Sequence, residues 1–195
     1  MRVISGKAKG RRLIAPKGGA VRPTADRIKE SLFNILPRDF SGMKILELFA
    51  GTGNVSIEAL SRGAASALLV DASERSGRVI RENLRRLDLS DRAQLWVMPV
   101  DRALRSLARQ GQTFDLVFLD PPYDQNLVGR SLELLASLNP LSLGAVVVAE
   151  HSVREHVKSN YASLSLNDQR RYGDTLLSFF RRTATSKPAA QGESS

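Results

Sequence analysis

The chain has 195 residues, enough for one domain with a core of its own. It contains no cysteine, which excludes disulfides, thiolate metal sites and a thiol nucleophile. With only His151 and His156 as imidazoles, the ligand set of a zinc deaminase is excluded too, and no metal site is expected. The formal net charge is +9, and where that charge falls says more than its sum.

Residues 1–25 read as a basic β-hairpin or arm, with RVIS and RRLIA as strands around the glycine-bearing GKAKG. Its cations are Arg2, Lys7, Lys9, Arg11, Arg12, Lys17 and Arg22, with no acid before Asp26. Segments of this kind meet polyanions; on charge pattern alone, a solvated arm is the alternative. The start lacks the apolar core of a signal peptide, and no apolar run is long enough to span a membrane, so a cytoplasmic protein is expected. RPTADRIKESLFNIL follows, with Thr24 as a candidate cap and Ile28, Leu32, Phe33, Ile35 and Leu36 at helical spacing. Pro37 closes it.

From Lys44 the rhythm changes. KILELFA, ALLVDAS, QLWVMPV, FDLVFLD and AVVVAE read as strands, alternating with helices near 53–62, 74–89, 101–109 and 127–138. Short apolar strands alternating with helices indicate a parallel sheet covered on both faces. SLSLNDQRRYGDTLLSFFRR then reads as two antiparallel strands turning at 172–174. Residues 26–182 therefore form one α/β domain on a Rossmann-like, mostly parallel seven-stranded sheet that ends in an antiparallel hairpin. This is the shape of a class I methyltransferase. Residues 183–195 are polar and rich in small residues, and are expected to be a disordered tail.

Three motifs carry the chemistry. Glu47-Leu-Phe49-Ala50-Gly51-Thr-Gly53 runs from a strand end into a helix start. Glycines let a ligand approach the backbone, and the helix N-terminus offers free N–H groups. An acid four residues before G-x-G leans toward S-adenosylmethionine, and the third glycine spacing of a G-x-G-x-x-G dinucleotide site is missing. Asp71 closes the second strand, 20 residues after Gly51, where a carboxylate can accept ribose hydroxyls. Asp101, after the third strand, is either an acceptor for the cofactor's adenine amine or a helix cap. Asp120-Pro121-Pro122-Tyr123 ends the fourth strand. An exocyclic amine on a base is a poor nucleophile because the ring delocalises its lone pair. The Asp120 carboxylate and the Pro121 carbonyl can hold its two protons, and Pro122 helps keep that backbone rigid. Tyr123 offers a face for stacking the extracted base. In-line methyl transfer of this kind needs no general base, so His151 reads as structural or surface.

At these residues the sequence resembles the RsmD family, bacterial methyltransferases of the N2 amino group of a guanine in 16S small-subunit ribosomal RNA. The resemblance covers residues 1–182. It rests on R-V-I-S-G-K-A-K-G-R-R-L, on R-P-T-A-D-R from Arg22 to Arg27 with the E-S-L-F-N-I-L after it, and on E-L-F-A-G-T-G and D-P-P-Y. It implies a cofactor site of Glu47, Phe49, Ala50, Gly51, Gly53, Asp71, Asp101 and Asp120, and amine capture by Asp120 through Tyr123. It further implies RNA contacts from the basic arm and Arg27. Arg22, Thr24 and Arg27 are placed near the cofactor's methionine end or the RNA. Many members carry Glu where this chain has Asp71, and either acid can bind a ribose. The implied partner is small-subunit RNA or an assembling small subunit. No membrane is implied, and a monomer is the working form. The alternatives are DNA adenine-N6 or protein glutamine methylation, and a non-catalytic RNA-binding assembly factor.

Overall fold

A computed structural model describes residues 1–15, 23–123 and 125–182, without the side chains of residues 23–26. Lys17, Arg22 and the tail 183–195 lie outside the described residues, as does the side chain of Thr24. Helix α1 (Pro23–Ile35) begins one residue before Thr24, which is therefore inside the first turn rather than capping it. Proline suits that first position, because its missing N–H has no helical partner there and its φ is already helical.

The elements then alternate as the apolar pattern predicts: β1 (Lys44–Leu48), α2 (Asn54–Ser61), β2 (Ser66–Asp71), α3 (Glu74–Arg86), β3 (Ala93–Val97), α4 (Val100–Arg109), β4 (Phe114–Leu119), α5 (Leu127–Leu138) and β5 (Leu141–Ser152). Then come β6 (Asn160–Tyr161), β7 (Leu164–Tyr172) and β8 (Thr175–Arg182). The sheet order is β3-β2-β1-β4-β5-β8-β7-β6, with the first five strands parallel and the rest antiparallel. It has eight strands rather than the expected seven. The extra one, β6, is two residues long, too short to leave a period-two signature.

Strand alternation divides the core in two. Ile45 of β1, Leu69 of β2 and Phe118 of β4 face α1, α2 and α3. Leu46, Leu48, Val70, Val117 and Leu119 face α4 and α5. From β1 the chain crosses to β2 and β3 on one side, and β4 and β5 lie on the other. The carboxyl ends of β1 and β4 therefore flank the topological switch point, where open α/β sheets leave a crevice.

The N-terminal arm is docked rather than loose. Arg2 and Arg12 form an antiparallel bridge, and Val3, Ala8 and Leu13 are buried in the core beside α1 to α3. The fully buried Glu58 of α2 accepts from Ile4 N at 2.8 Å and Ser5 N at 3.0 Å. Ser61 Oγ accepts from Ala8 N at 2.9 Å and donates to Ser5 O at 2.6 Å. Gly6 permits this closeness, since a Cβ there would stand 1.9 Å from Ser61 O. Buried Asn83 of α3 donates to Ile14 O and to Thr52 O, both at 3.1 Å, tying the arm to the glycine turn. The basic side chains Arg2, Lys7, Lys9, Arg11 and Arg12 remain exposed around this anchored backbone.

Candidate active site

A cleft of about 1080 Å³ opens at the switch point. Its lining includes Phe49, Gly51, Asp71, Asp120, Pro121, Pro122 and Tyr123. A deeper recess adds Glu47, Ala50 and Lys29. The structure thus brings the three sequence motifs to one edge, because each ends a neighbouring parallel strand.

The glycine turn is conformationally specialised. Phe49, Gly51 and Gly53 have φ of 58°, 58° and 74°. For Phe49 this is the left-handed region that a bulky residue rarely adopts, at a site lining the cleft. At Gly53 the positive φ favours glycine, and a Cβ there would press on the Leu69 Cδ2 methyl at 2.8 Å. Gly53 itself lies beneath the turn, where it starts α2, and is not in the cleft lining.

Glu47 is buried, and its carboxylate accepts from Val55 N at 3.2 Å and Ser56 N at 2.8 Å, the first free N–H groups of α2. Loss of solvation pushes its pKa up to about 7 against the pull of these bonds. Asp71 Oδ2 accepts from Gly51 N at 2.8 Å and Oδ1 from Ser73 N at 2.8 Å, fastening the end of β2 to the glycine turn. Each oxygen keeps a lone pair for a further donor.

Asp120 stands in the cleft, exposed through the open mouth while protein atoms crowd its carboxylate. Loss of solvation, then the negative charges of Glu150 and Glu47, raise its pKa well above the usual carboxylate range. Water filling the mouth softens that push, and a ligand displacing the water strengthens it. Pro121 is buried, Pro122 exposed, and Tyr123 half-buried with its hydroxyl 3.3 Å from Thr175 Oγ1.

The other candidate residues stand on neighbouring elements. Asp101 lies in the first turn of α4, paired with Arg130 at 3.7 Å, and is not among the residues lining the cleft. Pro99 rather than Asp101 occupies the cap position of that helix. Arg27 is exposed on α1, whose Ile28 and Lys29 line the cleft. His151 is buried, with Nδ1 3.0 Å from Ser152 O and Nε2 2.8 Å from Ser178 Oγ, and takes no part in the cleft.

Other lining residues escaped sequence reasoning. Glu150 ends the apolar run AVVVAE and accepts a hydrogen bond from Tyr123. Burial pushes its pKa up to about 7. The turn Tyr172–Thr175 forms another wall. An acid closing a buried apolar run was the available signal for Glu150, the same signal that marks Asp71 and Asp120. The turn gave none, since its position depends on strand pairing.

An open parallel sheet with an antiparallel end, a glycine turn and a DPPY at the switch point defines the class I methyltransferase fold. Comparison with known proteins narrows this. The family model described as Conserved hypothetical protein 95 matches residues 1–181. Ribosomal RNA small subunit methyltransferase D of Escherichia coli K12 is 31% identical over 194 residues, covering 100% of this chain and 93% of that one. YlbH of Bacillus subtilis 168, described as a candidate rRNA methyltransferase, is 36% identical over 93% of this chain and 99% of its own. The structure of yhhF from Escherichia coli, a candidate methyltransferase, superposes with a TM-score of 0.81 at 29% identity, over 93% of this chain and 97% of that one. The chain belongs to this family, the one its motifs resemble.

Proposed function

We propose that this protein transfers the methyl group of S-adenosylmethionine to the N2 amino group of a guanine in small-subunit ribosomal RNA. The observation that carries the reading is the DPPY at the end of β4, facing the glycine turn and Asp71 across one cleft. The relatives' descriptions as ribosomal RNA methyltransferases support the substrate class.

The residues present suit the cofactor. Asp71 offers carboxylate oxygens beside the turn for ribose hydroxyls, and Phe49, Ile28 and Leu127 supply apolar wall. The bound cofactor would supply an electrophilic methyl group on a sulfonium. The protein's part is to prepare the amine. Asp120 and the Pro121 carbonyl accept its protons and aim the lone pair at the methyl group. The ring of Tyr123 holds the extracted base. Asp120 then stabilises the positive charge that develops on nitrogen. Arg2, Lys7, Lys9, Arg11, Arg12 and Arg27 are assigned to backbone phosphates; all are exposed, and Met1 at the root of the arm lines the cleft.

The test is methyl transfer from labelled cofactor to small-subunit particles and to naked small-subunit RNA, followed by nucleoside mass spectrometry and mapping. The expected product is N2-methylguanosine at one position. Label in another base, in DNA or in protein overturns the reading.

A further inference from the structure

Two carboxylates stand side by side toward the carboxyl ends of β4 and β5. Leu119 of β4 pairs in register with Ala149 of β5, so the next residues, Asp120 and Glu150, stand on adjacent parallel strands. Leu119 and Ala149 are buried against α4 and α5, so alternation sends both carboxylates to the opposite face, toward α1 and α2. Both line the cleft and both line its deeper recess. The methyl-transfer chemistry uses Asp120 and leaves Glu150 without a role.

Glu150 is also held in place. The Tyr123 hydroxyl donates to it, and the same hydroxyl lies 3.3 Å from Thr175 Oγ1 on β8. A carboxylate accepts up to about four hydrogen bonds, so the contact with Tyr123 leaves room for a donor from the cleft.

The bases differ at the ring nitrogen beside the exocyclic amine. Guanine carries a proton there, N1–H, adjacent to its N2 amine. Adenine and cytosine carry a lone pair at the equivalent nitrogen. A carboxylate accepts the first and repels the second, and flipped bases are read along this edge. Two neighbouring carboxylates therefore match two neighbouring donors, which only guanine presents next to an amine. We infer that Glu150 is the specificity-determining residue of this cleft, accepting the N1–H of the target guanine while Asp120 accepts a proton of the amine. The inference rests on the guanine reading above and adds the residue that enforces it.

The experiment uses small-subunit particles reconstituted with RNA that carries either guanine or 2-aminopurine at the mapped position. The analogue keeps the amine, replaces N1–H with a lone pair and lacks the C6 carbonyl oxygen, so it is the change of the ratio in Glu150→Gln that isolates N1. The unaltered protein is expected to favour guanine by roughly 10–100-fold in kcat/KM. Glu150→Gln, whose amide can donate to the bare nitrogen, is expected to lose activity on guanine and to narrow or invert that ratio. Cofactor affinity by calorimetry reports whether the variant is folded, and the ratio in the unaltered protein needs no variant. Equal rates on both bases overturn the inference, as does an unchanged ratio in Glu150→Gln. No transfer to the guanine particle by the unaltered protein instead overturns the guanine reading itself.

Discussion

The acid where the arm docks and the acids of the cleft are treated in opposite ways. Where the arm docks, Glu58 is fully buried between Lys29 at 3.4 Å and Arg62 at 2.9 Å, and it also accepts two backbone N–H groups of the arm. At the cleft, Asp120 has the charges of Glu150 and Glu47 as neighbours, and these raise its pKa. A matched buried carboxylate holds segments together. Carboxylates gathered against one another are costly in the free protein and gain most from a ligand that brings donors or positive charge.

Removing the matched acid should therefore unfold, and removing the unmatched ones should disable. Glu58→Ala is expected to cost about 3–5 kcal/mol, because buried Lys29 loses its counter-charge and two arm N–H groups lose their acceptor. Urea unfolding measures this, and a loss below about 1 kcal/mol, the range of exposed pairs, would erase the contrast. Asp120→Ala should leave stability nearly intact and lower single-turnover methyl transfer by about a hundredfold or more, with cofactor affinity little changed. Asp120→Asn keeps one acceptor oxygen and should retain part of the rate. A rate near that of the unaltered protein in Asp120→Ala would sink the amine-holding mechanism.

The acids of the cleft also set a pH dependence. The pKa of Glu150 is raised to about 7, so it takes up a proton as pH falls through neutrality, and a protonated carboxyl cannot accept the base's N–H. The rate should therefore fall as pH drops through about 7. Lys29, Glu47, Asp71, Asp120, Tyr123, Tyr172 and Asp174 share this cleft with Glu150, and Met1 brings its amino group. A rate flat across neutrality would show that the carboxylates ionise lower than their crowding implies.

Smaller effects sharpen the contrast further. Asp71→Ala should weaken S-adenosylmethionine binding by about 1–3 kcal/mol, the cost of leaving ribose hydroxyls unpaired. Unchanged affinity by calorimetry would remove Asp71 from the site. Reversing Lys9, Arg11 and Arg12 to Glu should weaken RNA binding and flatten its salt dependence, leaving cofactor affinity alone. If neither RNA affinity nor salt slope moves, the arm's cations are only a solvated surface.

The parallel sheet, the glycine turn, Asp71 and the DPPY were legible in the chain itself. Each is a local event, an apolar run broken at its end by an acid or a glycine, and parallel strands carry all such ends to one edge. Asp101 follows a strand in sequence and stands in the first turn of α4, 3.7 Å from Arg130. Glu58, Ser61 and Asn83 looked like ordinary helix polar residues. They became anchors only when the arm folded back across 53 or more residues of chain to meet them. Glu150 took its place through the register of β4 with β5, and the Tyr172–Thr175 wall through the pairing of β7 with β8. Local sequence determines where a strand stops and what it ends on. Which ends become neighbours, and so which carboxylates share a cleft and which are neutralised, is decided by long-range pairing and packing, and only the folded chain displays it.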